Sequence, residues 1–107
     1  MAVSEIDVDQ LEALEPRSIQ LIDVREPAEY EQARVPGARL IPLATVPDHV
    51  DEIDRSVPVH LICAAGGRSM QAAVYLDDLG FDTVNVAGGT KEWLARGKAF
   101  ETGSADS

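Results

Sequence analysis

An α/β domain with a mainly parallel sheet is the fold class that this sequence predicts, and three observations carry it. Short apolar runs at 19–24, 59–62 and 83–86 alternate with stretches of helical periodicity. Proline or glycine punctuates most of the junctions, as at Pro16, Pro58, Gly80 and Gly88. The chain of 107 residues is long enough for one core and too short for two, with no internal repeat or linker to suggest otherwise.

Taken in order, Asp7 and Gln10 form a capping box, and Val8, Leu11 and Leu14 recur behind it at helical spacing until Pro16. Residues 19–24 read as a buried strand. Residues 26–33 form a short acidic helix with Pro27 suited to its first turn. Val35-Pro36-Gly37-Ala38 is a turn, and Leu40-Ile41-Pro42-Leu43 is extended. A helix is expected over 47–55 with Val50 and Ile53 turned inward, and Pro58 then introduces the strand 59–62. From Arg68, the residues Ala72, Ala73, Tyr75, Leu76 and Leu79 supply an apolar helix face that Gly80 stops. The strand 83–86 leads through Gly88-Gly89 to a helix anchored by Trp93, with Leu94 beside it. After Gly97 the chain is small and polar, so the expected division is a domain over 1–97 and a frayed tail over 98–107.

Composition narrows the function. Nine basic residues against 19 acidic ones give a net charge of -10, which disfavours nucleic acid and anionic membranes as partners. An anionic substrate therefore needs a local positive field. One cysteine forms no internal disulfide, which fits a reducing compartment. The residues Met-Ala-Val-Ser-Glu-Ile-Asp at the start have no signal-peptide pattern. No stretch approaches the roughly 18 apolar residues of a membrane span. The expectation is a cytoplasmic protein.

The chemistry concentrates at that single cysteine, Cys63. It follows the strand 59–62 and opens the loop Ala64-Ala65-Gly66-Gly67, after which Arg68 and Ser69 start a helix. Ligands of open parallel sheets sit beyond the carboxyl ends of the strands. A loop with almost no side-chain bulk lets its backbone amides curl around one central anion. A free thiol has a pKa of about 8.5, which a helix N-terminus and a nearby cation lower. Arg68 is the nearest candidate cation, and the Ser69 hydroxyl is placed to cap the helix or donate to the sulfur. The bland alternative is a core cysteine beside a simple glycine turn.

Three separated motifs then resemble those of the single-domain rhodaneses, sulfurtransferases that carry sulfur as a persulfide on one cysteine. Leu21-Ile22-Asp23-Val24-Arg25-Glu26, with Glu29-Tyr30 and Val35-Pro36-Gly37-Ala38, resembles the family's N-terminal signature. Cys63 to Ser69 resembles its active-site loop, and Val86-Ala87-Gly88-Gly89 with Trp93 its C-terminal signature. The resemblance implies a five-stranded parallel sheet with helices on both faces. It also implies that Cys63 takes sulfane sulfur from a small donor such as thiosulfate and passes it to cyanide or a thiol, with the loop 64–69 holding the charged outer sulfur. No metal or organic cofactor is implied. Cysteine phosphatases use a similar cradle with a longer run between cysteine and arginine; the four residues here suit one sulfur better than a phosphate. Departures from the family pattern are Ala33-Arg34, where many members have Gly-His, and the uncharged Ala64 and Ala65, which put the donor's identity in question. A relay that hands persulfide to a sulfur-accepting partner protein is the alternative, and a redox-sensing thiol is a third.

The remaining candidates have structural readings. Asp23 is expected to accept from loop amides and Arg25 to pair with a carboxylate, both as support for the site. His49 reads as a solvated surface group. His60 lies on the opposite strand face from Cys63 by period-two alternation, which disfavours a Cys–His dyad. The histidines and the cysteine have no metal-ligand spacing. Gly88-Gly89 lacks the Lys-Ser or Lys-Thr of a phosphate loop, so close strand-to-helix packing is the better account.

Overall fold

The computed structural model describes residues 3–104 of the chain. In order run β1 (Ser4–Ile6), α1 (Val8–Ala13), a 3-10 turn at Pro16–Ser18, β2 (Gln20–Asp23), α2 (Pro27–Gln32) and β3 (Arg39–Leu40). A 3-10 segment at Leu43–Glu52 follows, then β4 (Val59–Ile62), α3 (Gly67–Asp78), β5 (Thr83–Val86) and α4 (Gly89–Ala95). The strands make one sheet in the order β1-β5-β4-β2-β3, with every pair parallel. The central strand is β4, in register with β2 at Leu21 opposite His60 and with β5 at Leu61 opposite Asn85. Cys63 therefore emerges at the carboxyl end of the most enclosed strand.

A parallel sheet must be covered on both faces, and strand alternation divides the side chains between two cores. Ile22, Val24, Val59, Leu61 and Cys63 pack on one face with Ala72, Ala73 and Leu76 of α3 and with Val46 and Ile53. Leu21, Ile62 and Val86 pack on the other with Val8 and Leu11 of α1, Tyr30 of α2 and Trp93 of α4. The Asp7–Gln10 capping box starts α1: Gln10 N–H donates to Asp7 Oδ1 at 2.8 Å, and Asp7 N–H to Gln10 Oε1 at 2.9 Å.

The structure departs from the sequence expectations in four places. The strand β1 has no apolar signature because it is a three-residue edge strand with two of its residues exposed; its pairing with β5 creates it. The helix expected over 47–55 is a 3-10 segment that begins four residues earlier, contains Pro47, which has no N–H to donate, and buries Val46. Tyr75 and Leu79, assigned to the apolar face of α3, are about 40% exposed, as is Leu14. Small Ala72 and Ala73 let α3 lie close to the sheet on a narrow stripe that excludes its bulkier neighbours. Finally, residues 98–103 are not frayed. Arg34 and Glu101 exchange backbone hydrogen bonds of 2.9 and 3.0 Å, Gly103 N–H donates to the Glu31 carbonyl at 2.8 Å, and Trp93 Nε1 donates to the Ala99 carbonyl at 2.7 Å. The last part of the expected tail, 105–107, lies outside the described residues.

Candidate active site

Beyond Ile62 the backbone turns at Gly66, whose φ of +111° is a left-handed conformation that favours glycine. This turn aims the Gly66 N–H at Cys63 Sγ, 3.1 Å away. One turn into α3, the buried Ser69 hydroxyl donates to the same sulfur at 3.3 Å. Of the two roles open to Ser69, donation to sulfur is the one it takes. Burial pushes the Cys63 thiol up, but hydrogen bonds from the Ser69 hydroxyl and from the amides of Ser69, Gly66 and Ala65 outweigh it, so the pKa falls below that of an ordinary cysteine. The 12-residue α3 adds the positive end of its dipole at the same point. These donors favour the thiolate, the reactive form of cysteine, over the thiol.

Arg68 does not stand beside the sulfur as a bare cation. Its guanidinium makes a fork-to-fork pair with Glu29 of α2, Nη1 to Oε1 at 2.8 Å and Nη2 to Oε2 at 2.9 Å. That pair holds the Glu29 carboxyl at about 2, down from the ordinary 4.5. Sequence position puts Arg68 next to the cradle but does not show that a carboxylate 39 residues away meets it. The lowering of the Cys63 thiol comes chiefly from hydroxyl and amide donors, while the Arg68 charge, engaged first by Glu29, also acts on the Cys63 sulfur at longer range.

The loop is clamped from behind by residues that sequence reading placed elsewhere or missed. Thr90 N–H donates to the Cys63 carbonyl and Lys91 N–H to the Ala64 carbonyl, both at 2.9 Å, so the first turn of α4 takes up the loop's outward-facing oxygens. Gly89 makes this approach possible: a Cβ there would lie 2.3 Å from the Cys63 oxygen and 2.6 Å from the Ala64 oxygen. The expected close packing at Gly88-Gly89 is thus packing against the cradle itself. Asn85, missed from sequence, is buried on β5 and donates through Nδ2 to the Gly66 carbonyl at 3.3 Å and to Glu5 Oε2 at 3.0 Å. The available signal was a lone amide in the apolar run Val84-Asn85-Val86.

Asp23 and Arg25 form a buried pair, with Arg25 Nη2 at 2.8 Å from Asp23 Oδ2. Asp23 Oδ1 also accepts the Arg25 backbone N–H at 3.0 Å, and Arg25 Nη2 donates to the Ala33 carbonyl at 2.8 Å. Together they tie the end of β2 to the end of α2, the helix that carries Glu29. His60 is buried on the sheet face opposite Cys63 and takes no part in the cradle. His49 is half-buried rather than fully solvated, with Nδ1 at 2.9 Å from the Thr45 carbonyl. Among the described residues, no helix is long and apolar enough to cross a membrane.

The protein is thus a five-stranded parallel α/β domain with a cysteine cradled at the end of its central strand. The model of the rhodanese-like domain matches residues 7–96, and the chain belongs to that family. The chain is 37% identical over 97 residues to the putative sulfurtransferase YtwF of Bacillus subtilis, covering 87% of this chain and 92% of that protein. It is 35% identical over 98 residues to a sulfurtransferase of Allochromatium vinosum, covering 89% and 92%. Among solved structures, the rhodanese-related protein of Thermoplasma volcanium superposes with a TM-score of 0.85 at 28% identity, over 92% of this chain and 97% of that one.

Proposed function

We propose that this protein is a sulfurtransferase that moves sulfane sulfur from a small donor to a thiophilic acceptor through a persulfide on Cys63. The observation that carries the reading is the convergence of Gly66 N–H and the Ser69 hydroxyl on Sγ at a helix N-terminus. Family membership and the names of the relatives support the same class of chemistry. With thiosulfate as donor, the Cys63 thiolate attacks the outer sulfur, the S–S bond of the donor breaks, and sulfite leaves with the electron pair. The amides of the loop 64–67 then face a charged terminal sulfur. Cyanide or a thiolate attacks that sulfur, forms the new bond, and returns Cys63 as thiolate. Neither step calls for a general base, which agrees with the placement of His60 on the sheet face opposite Cys63.

Intact mass of the reduced protein after exposure to a sulfane donor tests the reading. One added sulfur on the native protein, and none on Cys63→Ser, is the expected result. Failure of the reduced native protein to take sulfur from thiosulfate or from a hydropersulfide overturns it. The uncharged Ala64 and Ala65 beside an Arg68 already paired with Glu29 favour a second reading, a relay that loads and then discharges to a protein. Loading without turnover in a thiosulfate–cyanide assay supports that reading, and fast turnover rules against it.

A further inference from the structure

At the rim of the cradle an acid and a base meet that the sulfur transfer described above does not use. The loop 63–69 has a single basic side chain, Arg68, and both of its terminal nitrogens go to Glu29. Glu29 is in turn fixed by its own helix start, where Oε1 accepts the Glu26 backbone N–H at 3.0 Å. The carboxylate is thus held in place before any substrate arrives, and a donor competing for Arg68 has to displace a two-point ion pair. Ala64, Ala65, Gly66 and Gly67 have no charge to offer instead, and the chain as a whole stands at -10.

We infer that Glu29 is a specificity-determining residue: by holding Arg68 in a bidentate pair it withholds the loop's one cation from doubly charged donors and leaves the site to hydropersulfides of low charge. This rests on the reading of Cys63 as a persulfide carrier. Thiosulfate enters as a dianion and sulfite leaves as one, so both need a positive group that Glu29 already occupies. A hydropersulfide R–S–SH makes no such demand. The Cys63 thiolate bonds to its outer sulfur, the donor S–S bond breaks, R–S⁻ leaves with the electron pair, and the proton stays on the transferred sulfur. The new Cys63 hydropersulfide gives its proton to the departing R–S⁻, and backbone amides and the Ser69 hydroxyl are the donors near the single charge left on it.

The test compares single-turnover loading of Cys63 by thiosulfate, a dianion, and by the hydropersulfide of N-acetylcysteine methyl ester, which carries at most one charge, followed by intact mass. Each rate is divided by that of the same donor with free cysteine, which removes intrinsic reactivity. Glu29→Gln keeps the side-chain length and an oxygen for the Glu26 N–H while freeing Arg68. Its thiosulfate rate constant should rise by about tenfold, the scale of one charge-assisted hydrogen bond, with a tighter apparent donor affinity. The hydropersulfide rate should move far less. An equal change for both donors, or a thiosulfate rate within about twofold of the native protein's, overturns the inference while leaving the persulfide reading intact. Absence of loading from either donor in the native protein overturns the persulfide reading instead. If Glu29→Gln does not fold, the native protein still decides: a normalised preference for the hydropersulfide supports the inference, and equal normalised rates refute it.

Discussion

Replacing Gly89 with alanine puts one methyl group where two carbonyl oxygens already sit. The added Cβ would be 2.3 Å from the Cys63 oxygen, whereas ordinary contact begins near 3.4 Å, so α4 and the loop must part by roughly 1 Å. That movement stretches the 2.9 Å hydrogen bonds from Thr90 and Lys91 beyond bonding range. Two backbone hydrogen bonds at about 1 kcal/mol each, plus about 1–2 kcal/mol for alanine in the left-handed region, amount to a loss of about 3–4 kcal/mol. A domain of this size has roughly 5–15 kcal/mol in total, so the variant should fold with a clearly lower urea midpoint. Because the released carbonyls belong to the cradle, Cys63 should also react more slowly with iodoacetamide at neutral pH. Gly97→Ala is the control: its φ of +71° imposes the backbone cost, but a Cβ there meets nothing within 4 Å. Equal stability losses in the two variants, with unchanged thiol reactivity in Gly89→Ala, would refute the assignment of Gly89 as the joint between α4 and the cradle.

Ser69→Ala removes the hydroxyl donor to Sγ and should slow iodoacetamide alkylation at neutral pH by about tenfold, with the rate recovering as pH rises. Because the Cys63 pKa is depressed in the folded state, native reactivity should persist below the ordinary thiol range and fade as pH falls through the lowered value; a profile matching that of free cysteine would contradict this. The Glu29 carboxyl, lowered from 4.5 to about 2, contributes stability that is full above the ordinary value and lost as pH falls from 4.5 through about 2. A third of that side chain is exposed, so solvent screening limits the contribution to about 1 kcal/mol or less; urea midpoints across that window should fall less in Glu29→Gln than in the native chain. Asn85→Leu leaves the Gly66 carbonyl without its side-chain donor and should slow alkylation of Cys63 by several-fold, about the value of one hydrogen bond. Unaltered alkylation kinetics in that variant would show that Asn85 does not position the cradle.

Much of this molecule is written in local pattern. The strand 59–62 is legible because four consecutive apolar or half-polar residues sit between Pro58 and a glycine-rich loop, and the α1 start because its capping box is a contact three residues long. The placement of Cys63 at the end of a parallel strand followed directly from those neighbours. Elements that owe their form to distant partners were not legible in the same way. The edge strand β1 exists because Glu5 pairs with Asn85, and residues 98–103 are ordered because Arg34 and Arg34's own backbone receive them.

The same division runs through the site. Residue order along the chain establishes which side chains stand in the sulfur loop, and the absence of bulk from Ala64 to Gly67 establishes that its amides are free to turn inward. Charge is another matter. Whether Arg68 is a free cation or a paired one depends on Glu29, brought to it by α2 across the end of the sheet, and on the Asp23–Arg25 pair that ties that helix to β2. Electrostatic interactions act through space and depend on separation and burial, and neither can be read from spacing along a chain. Folding thus decides how much positive charge this cradle can show to a donor.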